Sequence, residues 1–516
     1  MRRLLAPLVV LVALASAAAL PAAARANDSQ LSIMMDDDHL LYRGDAVRDD
    51  TLRRMQALGV DYVRVSVLWN VVAQDAKKGR KRAKQFRGDK PGTYPAGNWD
   101  RYDRLVRAAN RIGIRLYFNV TGPGPRFAMG KAPKGTKKYK DTWYPKTGEW
   151  FKFVKAVGLR YSGLYRDEND SGAVLPRIGF WSVYNEPNQP GWLMPQWKKG
   201  IAWAPVLYRD LWYYGRAALD ATGHKDDTVL IGETAPLGNS NRNDGSPIYP
   251  KRFIREFLCL DAKNRPYTGA AAKKRRCGTL DKIGELRYAA WAHHPYTKKL
   301  APTKRSGDKD AITMANVGEL GGLLDIAKAK GRKLPAQTFT AMTEFGYETN
   351  PPDKFSGVSL AKQAEYITEG DHLAFLDKQV VANTQFLLRD VPEIRKFKKS
   401  DKRRYFTYQS GLYFTNGKAK PSAIAYRFPF LITDRTGSAT TFWGQTRFLP
   451  ANTPVNVTIQ FKAPGQPNWA DVGAAPTNGQ GFFVGSVPSG AAGTYRAMFR
   501  EVFSGTVVTS RELPVS

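Results

Sequence analysis

The chain has 516 residues, 42% of them hydrophobic and 12% aromatic, with a formal charge of +33 and only two cysteines. That length exceeds what one small core serves, and that apolar content excludes a disordered polyelectrolyte, so a large domain with an accessory one is expected. The positive field predicts attraction to anionic surfaces or polymers, whereas the basic clusters carry too little aromatic interleaving to point to nucleic acid.

In chain order, Arg2-Arg3, the apolar stretch Leu4 to Leu20 and Ala24-Arg25-Ala26 have the three zones of a secretory signal peptide. Cleavage after Ala26 would start the mature chain at Asn27 and deliver it outside the cell. No later stretch reads as a membrane span. Cys259 and Cys277 could staple the loop between them in an oxidising compartment, the other reading being two independent buried thiols.

From Asn27 onward, strand-like apolar runs alternate with segments of helical period. The runs cover residues 31 to 36, 61 to 67, 114 to 120, 178 to 184, 228 to 232, 288 to 293, 337 to 342 and 381 to 387. Eight such units predict an α/β fold, a (β/α)₈ TIM barrel over residues 27–432. Between the first two runs, Asp49 or Asp50 is placed to cap a helix whose Leu52, Met55 and Leu58 share a face, with Gly59 as its stop. Leu105, Val106 and Ala109 repeat the pattern before Gly113. Trp150, Phe153, Val154, Val157 and Tyr161 form one apolar stripe turned toward the barrel.

Beyond residue 430 the period changes to two. Val455, Val457, Ile459 and Phe461 alternate with polar residues, and Thr477-Asn478-Gly479 precedes a further run at Phe482 to Val487. A small all-β, Ig-like sandwich over residues 436–516 is expected, with Trp443 and Trp469 serving either its core or sugar stacking.

Two of the barrel runs end on glutamates: Trp181-Ser-Val-Tyr-Asn-Glu-Pro-Asn188 and Thr340-Ala-Met-Thr-Glu-Phe-Gly-Tyr347. Strand ends carry the working groups of such a barrel, and a carboxylate pair across a cleft suits cleavage of a glycosidic bond. A separation of about 5–5.5 Å gives retention, and about 6.5–9.5 Å gives inversion.

Asn185-Glu186-Pro187 after the fourth run, Glu344 after the seventh and Arg64 within Asp61-Tyr-Val-Arg-Val65 together resemble the retaining clan A glycoside hydrolases, above all the family 5 cellulase-like and family 39 xylosidase-like enzymes. The likeness spans residues 31 to about 430. With the signal peptide, it implies a secreted O-glycosyl hydrolase acting on a poly- or oligosaccharide; the resemblance makes Glu186 the acid/base and Glu344 the nucleophile. It further implies that Asn185 donates to the sugar 2-hydroxyl, that Arg64 lies beneath the nucleophile, and that His294 or Tyr296 is a hydrogen-bond partner of Glu344. No cofactor is implied. Family members often carry a tryptophan at the end of strand eight and a histidine in strand three, where this chain has Asn383-Thr-Gln-Phe386 and Asn119.

Trp69, Trp192 and Trp143, on loops after the second, fourth and third runs, are candidate stacking platforms. Glu233 reads as a subsite or loop-anchoring acid, and Glu348 as solvated. His293-His294 lacks further ligands at metal spacing, so a metal-free site is expected. No nucleophile elbow for serine catalysis is present. Basic clusters at Lys77 to Lys90, Lys131 to Lys140, Lys273 to Arg276, Lys298 to Arg305 and Arg395 to Arg404 are all expected around the barrel mouth, where they would draw in an anionic polysaccharide or hold the protein to a cell wall. The rival function is a non-catalytic polysaccharide- or wall-binding protein on a barrel scaffold.

Overall fold

A computed structural model describes residues 27–490, 492–501 and 504–516; the expected signal peptide lies outside them. Eight parallel strands close into a barrel: β1 (Leu31–Met35), β2 (Tyr62–Leu68), β3 (Arg115–Thr121), β4 (Phe180–Val183), β5 (Thr228–Thr234), β6 (Trp291–His293), β7 (Thr340–Phe345) and β8 (Val380–Phe386). Each pairs with its neighbour in chain order, and β8 returns to β1 with Leu31 opposite Ala382. All eight expected strands are present.

Each strand is followed by a covering helix: α1 (Asp45–Ala57), α2 (Asp100–Ile112), α3 (Thr147–Arg160), α4 (Ala204–Asp220), α5 (Pro250–Phe257), α6 (Gly318–Ala329), α7 (Leu360–Phe375) and α8 (Pro421–Arg427). The α3 stripe is buried as its spacing predicts, with Trp150, Phe153, Val154, Val157 and Tyr161 all fully inaccessible. Helix α1 starts earlier than expected, at Gly44 rather than Asp49 or Asp50. Asp45 occupies its first turn, where the helix dipole favours a carboxylate, while Asp49 and Asp50 pair with Arg48 and Arg54 along the helix.

Because helices cover the barrel outside and side chains fill it inside, its strands read as nearly continuous apolar runs. Ile33, Tyr117, Phe180 and Leu230 pack with Ala290, Ala292, Ala341 and Ala382 into one cluster, the inner layer of the barrel. Polar residues interrupting the runs, among them Arg64, Asn119, Ser182 and Glu233, are buried too. Buried polar groups need partners, and theirs form the site described below.

The C-terminal segment folds as two antiparallel sheets. One contains β9 (Phe430–Arg435), β10 (Ala439–Gln445) and β13 (Phe482–Pro488); the other contains β11 (Asn456–Lys462), β12 (Ala470–Pro476), β14 (Gly493–Arg500), β15 (Val507–Thr509) and β16 (Leu513–Val515). Phe442, Val457, Ile459, Phe483, Val487 and Tyr495 fill the space between them. This sandwich docks on the C-terminal ends of α1 and α7, the barrel face opposite the strand ends. Arg447 donates to Asp371 at 3.0 Å and to the Tyr426 carbonyl at 2.5 Å. Gly59, at φ +80°, stands so close to the Arg447 carbonyl that a Cβ would lie 1.7 Å from its oxygen, so glycine is required there. Trp443 is buried against Phe375 and Phe482, an interface role rather than a sugar platform. Trp469 is half-buried beside Lys462 and Arg496. Among the described residues, no helix is long and apolar enough to cross a membrane.

Candidate active site

At the carboxyl ends of the strands, the backbone leaves β4 through two left-handed residues, Tyr184 (φ 73°) and Glu186 (φ 37°). Such conformations cost about 1–3 kcal/mol each for a residue with a Cβ. Hydrogen bonds hold them: Tyr184 N to Val120 O, Asn185 N to Thr121 Oγ1 at 2.9 Å, and Glu186 N to Glu233 O at 2.8 Å. The strained turn sets Asn185 and Glu186 on the wall of a cavity of about 800 Å³, facing Glu344 from β7. That volume lies within the range of about 300–1,000 Å³ typical of small-molecule sites.

Charged partners converge beneath these residues. The fully buried Arg64 donates through Nη1 to Glu344 Oε1 at 2.9 Å, and through Nη2 to Asn185 Oδ1 at 2.9 Å and Glu233 Oε2 at 3.1 Å. Tyr296 donates its hydroxyl to Glu344 Oε2 at 3.0 Å. His294 faces Glu186 Oε1 through Nδ1 at 2.9 Å and Glu233 Oε2 through Nε2 at 2.8 Å, with Nδ1 3.7 Å from Glu344 Oε2. One carboxylate oxygen of Glu186 and one of Glu344 lie within 4.8 Å of each other.

The electrostatics follow from burial and from this pairing. Burial pushes the Glu344 carboxyl upward, against the pull of the His294 and Arg64 charges. Burial also opposes a charge on His294, but the Glu344 charge and the hydrogen bonds to Glu186 and Glu233 outweigh it and hold the imidazole up to about 10. At Glu233 the desolvation cost is overcome by Arg64 and His294, which keep that carboxyl well below the usual range. The adjacent His293 behaves oppositely. Burial lowers it to about 3, and it bridges Thr234 Oγ1 and the Ile312 carbonyl as a neutral ring.

Glu186, His294 and Glu344 each bring one possible ligand atom within 4.8 Å of one another. The group does not fit a metal ion. Both nitrogens of His294 are already engaged by carboxylate oxygens, Nδ1 by Glu186 at 2.9 Å and Nε2 by Glu233 at 2.8 Å, so neither is open to an ion.

The structure thus brings six of the expected residues together: Glu186, Glu344, Asn185, Arg64, His294 and Tyr296. Tyr296 is the hydroxyl partner of Glu344, whereas His294 bonds Glu186 and Glu233. Trp192 lines the cavity. Trp69 does not: it is 1% exposed, stacked on Phe153 at 5.4 Å and tilted against Trp150, because its strand exit turns it into the layer under α3. Trp143 is likewise buried. Glu233 is not a subsite residue, since its side chain is wholly buried beneath the floor, but its backbone carbonyl accepts from Glu186 N and so anchors the turn after β4. Glu348 is not solvated: it lines the cavity half-buried, and burial with Asp353 nearby pushes its carboxyl up to about 7.

Sequence reading missed several wall residues. Phe386 ends β8 and lines the cavity, with the loop residue Tyr408 edge-on to it at 5.0 Å. Phe355 joins them. Asp37, just past β1, accepts from Ser66 N, and burial raises its carboxyl to about 6. A strand-end position was the only sequence signal for Asp37; Tyr408 and Phe355 had none. Lys298 and Lys299 form part of the same wall. The cluster from Lys273 to Arg276 is not at the mouth: it follows α5 on the return to β6, and the Arg275 and Arg276 carbonyls accept from Arg209 of α4. The other four clusters do lie in loops that follow strands.

Cys259 and Cys277 form a disulfide on that same return segment.

No family model and no curated relative matches the chain. Its fold is similar to solved structures that include a family 39 glycoside hydrolase from Bacteroides cellulosilyticus WH2, at 14% identity over 89% of this chain and 80% of the other, with a TM-score of 0.49. A monomeric beta-xylosidase from Caulobacter crescentus CB15 is 17% identical over 90% of this chain and 95% of its own, with a TM-score of 0.45. A GH5_18 protein from Streptomyces cattleya, solved with GlcNAc, is 15% identical over 77% and 78%, with a TM-score of 0.43.

Proposed function

We propose that this chain is a secreted glycoside hydrolase that cleaves a β-glycosidic bond with retention of configuration, Glu344 acting as nucleophile and Glu186 as acid/base. The supporting observation is the approach of the two carboxylates, with oxygens within 4.8 Å. That approach fits the closer carboxyl pair of direct attack better than the wider gap that holds a water for inversion.

In this reading Glu344, oriented by Arg64 and Tyr296, adds to the anomeric carbon while Glu186 gives a proton to the departing oxygen. Water activated by Glu186 then opens the glycosyl ester. Asn185, fixed through its Oδ1 by Arg64, has its amide nitrogen to donate to the sugar 2-hydroxyl. Trp192, Tyr408 and Phe386 offer apolar faces to the rings.

The wall of the cavity sets a limit on the substrate. Asp37, Asp38, Glu186, Glu344 and Glu348 line it against two lysines, Lys298 and Lys299. Arg64 and His294 are already paired with carboxylates beneath the floor, so a uronic acid at the cleavage point would find no free cation there; an uncharged sugar fits that position better, and an acidic unit of the polymer belongs beside the lysine pair. The large positive charge acts outside the site, concentrating the protein on an anionic wall or matrix.

The test is incubation of wild type and Glu344→Gly with aryl β-glycosides of 2-deoxy-2-fluoro sugars, followed by intact-protein mass measurement. An adduct on wild type that the variant lacks is the expected result, and the reacting sugar names the substrate class. Turnover of the parent glycosides with inverted product, or no turnover of any, would overturn the reading.

A further inference from the structure

Glu233 touches partners of both candidate catalytic glutamates without reaching the cavity itself. It is fully buried at the end of β5. Its Oε1 accepts from the Tyr117 hydroxyl and from Ser182 Oγ at 2.6 Å. Its Oε2 accepts from Arg64 Nη2 at 3.1 Å, His294 Nε2 at 2.8 Å and Thr343 Oγ1 at 2.6 Å. Asn119 fastens Ser182 from the other side at 2.6 Å.

A carboxylate surrounded by five donors is an acceptor only, so the ring nitrogen facing it carries hydrogen. With Nε2–H fixed, the variable position on His294 is Nδ1, 2.9 Å from Glu186 Oε1. One proton fits that gap. It resides either on the ring, as imidazolium beside carboxylate, or on Glu186, as carboxylic acid beside a neutral ring.

We infer that Glu233 is a positioning residue that pins the Nε2–H tautomer of His294, so that the Nδ1···Oε1 contact stores the proton with which Glu186 acts. The Nδ1–H bond breaks as the Glu186 O–H bond forms, leaving a neutral ring. Glu186 then passes that proton to the glycosidic oxygen as its bond to the anomeric carbon breaks and the Glu344 ester forms. The water that opens the ester returns a proton to Glu186, from which Nδ1 is recharged. The use of this proton rests on the hydrolase reading above; its placement does not. Facing the pair are Glu344 from β7, Arg64 from β2 and Tyr296 just beyond β6, while His293 is neutral and adds no charge. Burial disfavours the imidazolium, but the surrounding carboxylates hold it up to about 10.

Only five histidines occur, so ring-¹⁵N-histidine labelling of the full mature chain, assigned with His294→Gln, reads the site directly. Wild type is expected to keep Nε2 protonated across the titration while Nδ1 alone changes. Glu233→Gln is expected to lower the ring titration by at least about one pH unit, a tenfold loss of proton affinity, and to move the alkaline limb of kcat/KM down with it. A wild-type ring protonated on Nδ1 with bare Nε2 would overturn the inference. So would a Glu233→Gln enzyme with reduced kcat and an unmoved limb, which is what a structural role alone predicts. Should that variant not fold, the wild-type spectrum decides. Should no glycoside be turned over, the hydrolase reading falls while the spectrum still tests the tautomer.

Discussion

Arg64 Nη1 lies 2.9 Å from Glu344 Oε1, and the same guanidinium also reaches Glu233 and Asn185, so one wholly buried cation ties β2 to β4, β5 and β7. Removing one partner of a buried charge set leaves the others uncompensated, at about 3–5 kcal/mol. Arg64→Met is therefore expected to lower the melting temperature, and to cut kcat by at least about 100-fold, the scale for losing a preorganised electrostatic contact. Arg64→Lys, a point charge that cannot reproduce the fork, should fall between. Calorimetry and steady-state kinetics on the two variants check this.

His294 makes stability depend on pH in a definite direction. Its folded value, about 10, stands above the ordinary 6.5, so the folded state binds the proton more tightly than the unfolded chain. The stabilisation is complete below about 6.5, declines as pH rises, and is gone once pH has passed through about 10. Wild type should lose more thermal stability between those limits than His294→Gln does. Equal slopes in a melting series would contradict it.

The barrel and both glutamates were legible because their signals are local. A strand buried on both faces is an apolar run, and polar residues directly past it, such as Asn185 and Glu186 after β4, mark the end that faces the cavity. Arg64 and His294 could be placed only with help from the resemblance. What stayed hidden was set by distance in the chain. Glu233 looked like any strand-end acid until Tyr117, Ser182 and Thr343, from three other strands, were seen around it. Trp69 was misread because a tryptophan after a strand has the same sequence signature whether its loop turns it outward or, as here, under α3. The cluster at Lys273 was misplaced because the length of α5 decides whether the residues beyond it belong to the mouth or to the return.

The two tryptophans give a paired prediction. Trp69→Ala removes a ring packed between Trp150 and Phe153 and should cost about 3–5 kcal/mol of folding free energy. Trp192→Ala trims a half-buried cavity wall and should leave the melting temperature in place while weakening sugar binding about 3- to 10-fold, the scale of one aromatic contact. Urea unfolding of both variants and KM of the second distinguish them; a stability loss at Trp192 equal to that at Trp69 would show that its ring belongs to the core.

The Cys259–Cys277 bridge closes 18 residues on the return from α5 to β6. Cross-linking a loop of that size restricts the unfolded chain by about 3 kcal/mol. The loop is also tied to the helical layer, since Arg209 donates to the Arg275 and Arg276 carbonyls and Arg275 pairs with Glu256 at 2.7 Å. Those contacts persist without the sulfurs, so the loop should stay docked in the folded state and the loss should appear in the unfolding equilibrium rather than at the site. Cys259→Ser with Cys277→Ser is expected to lower the melting temperature by several degrees with kcat/KM unchanged, and reductant should bring wild type to the same temperature. A fall in kcat/KM at temperatures well below the transition would instead mean that the return segment sets the register of β6, and with it the position of His294.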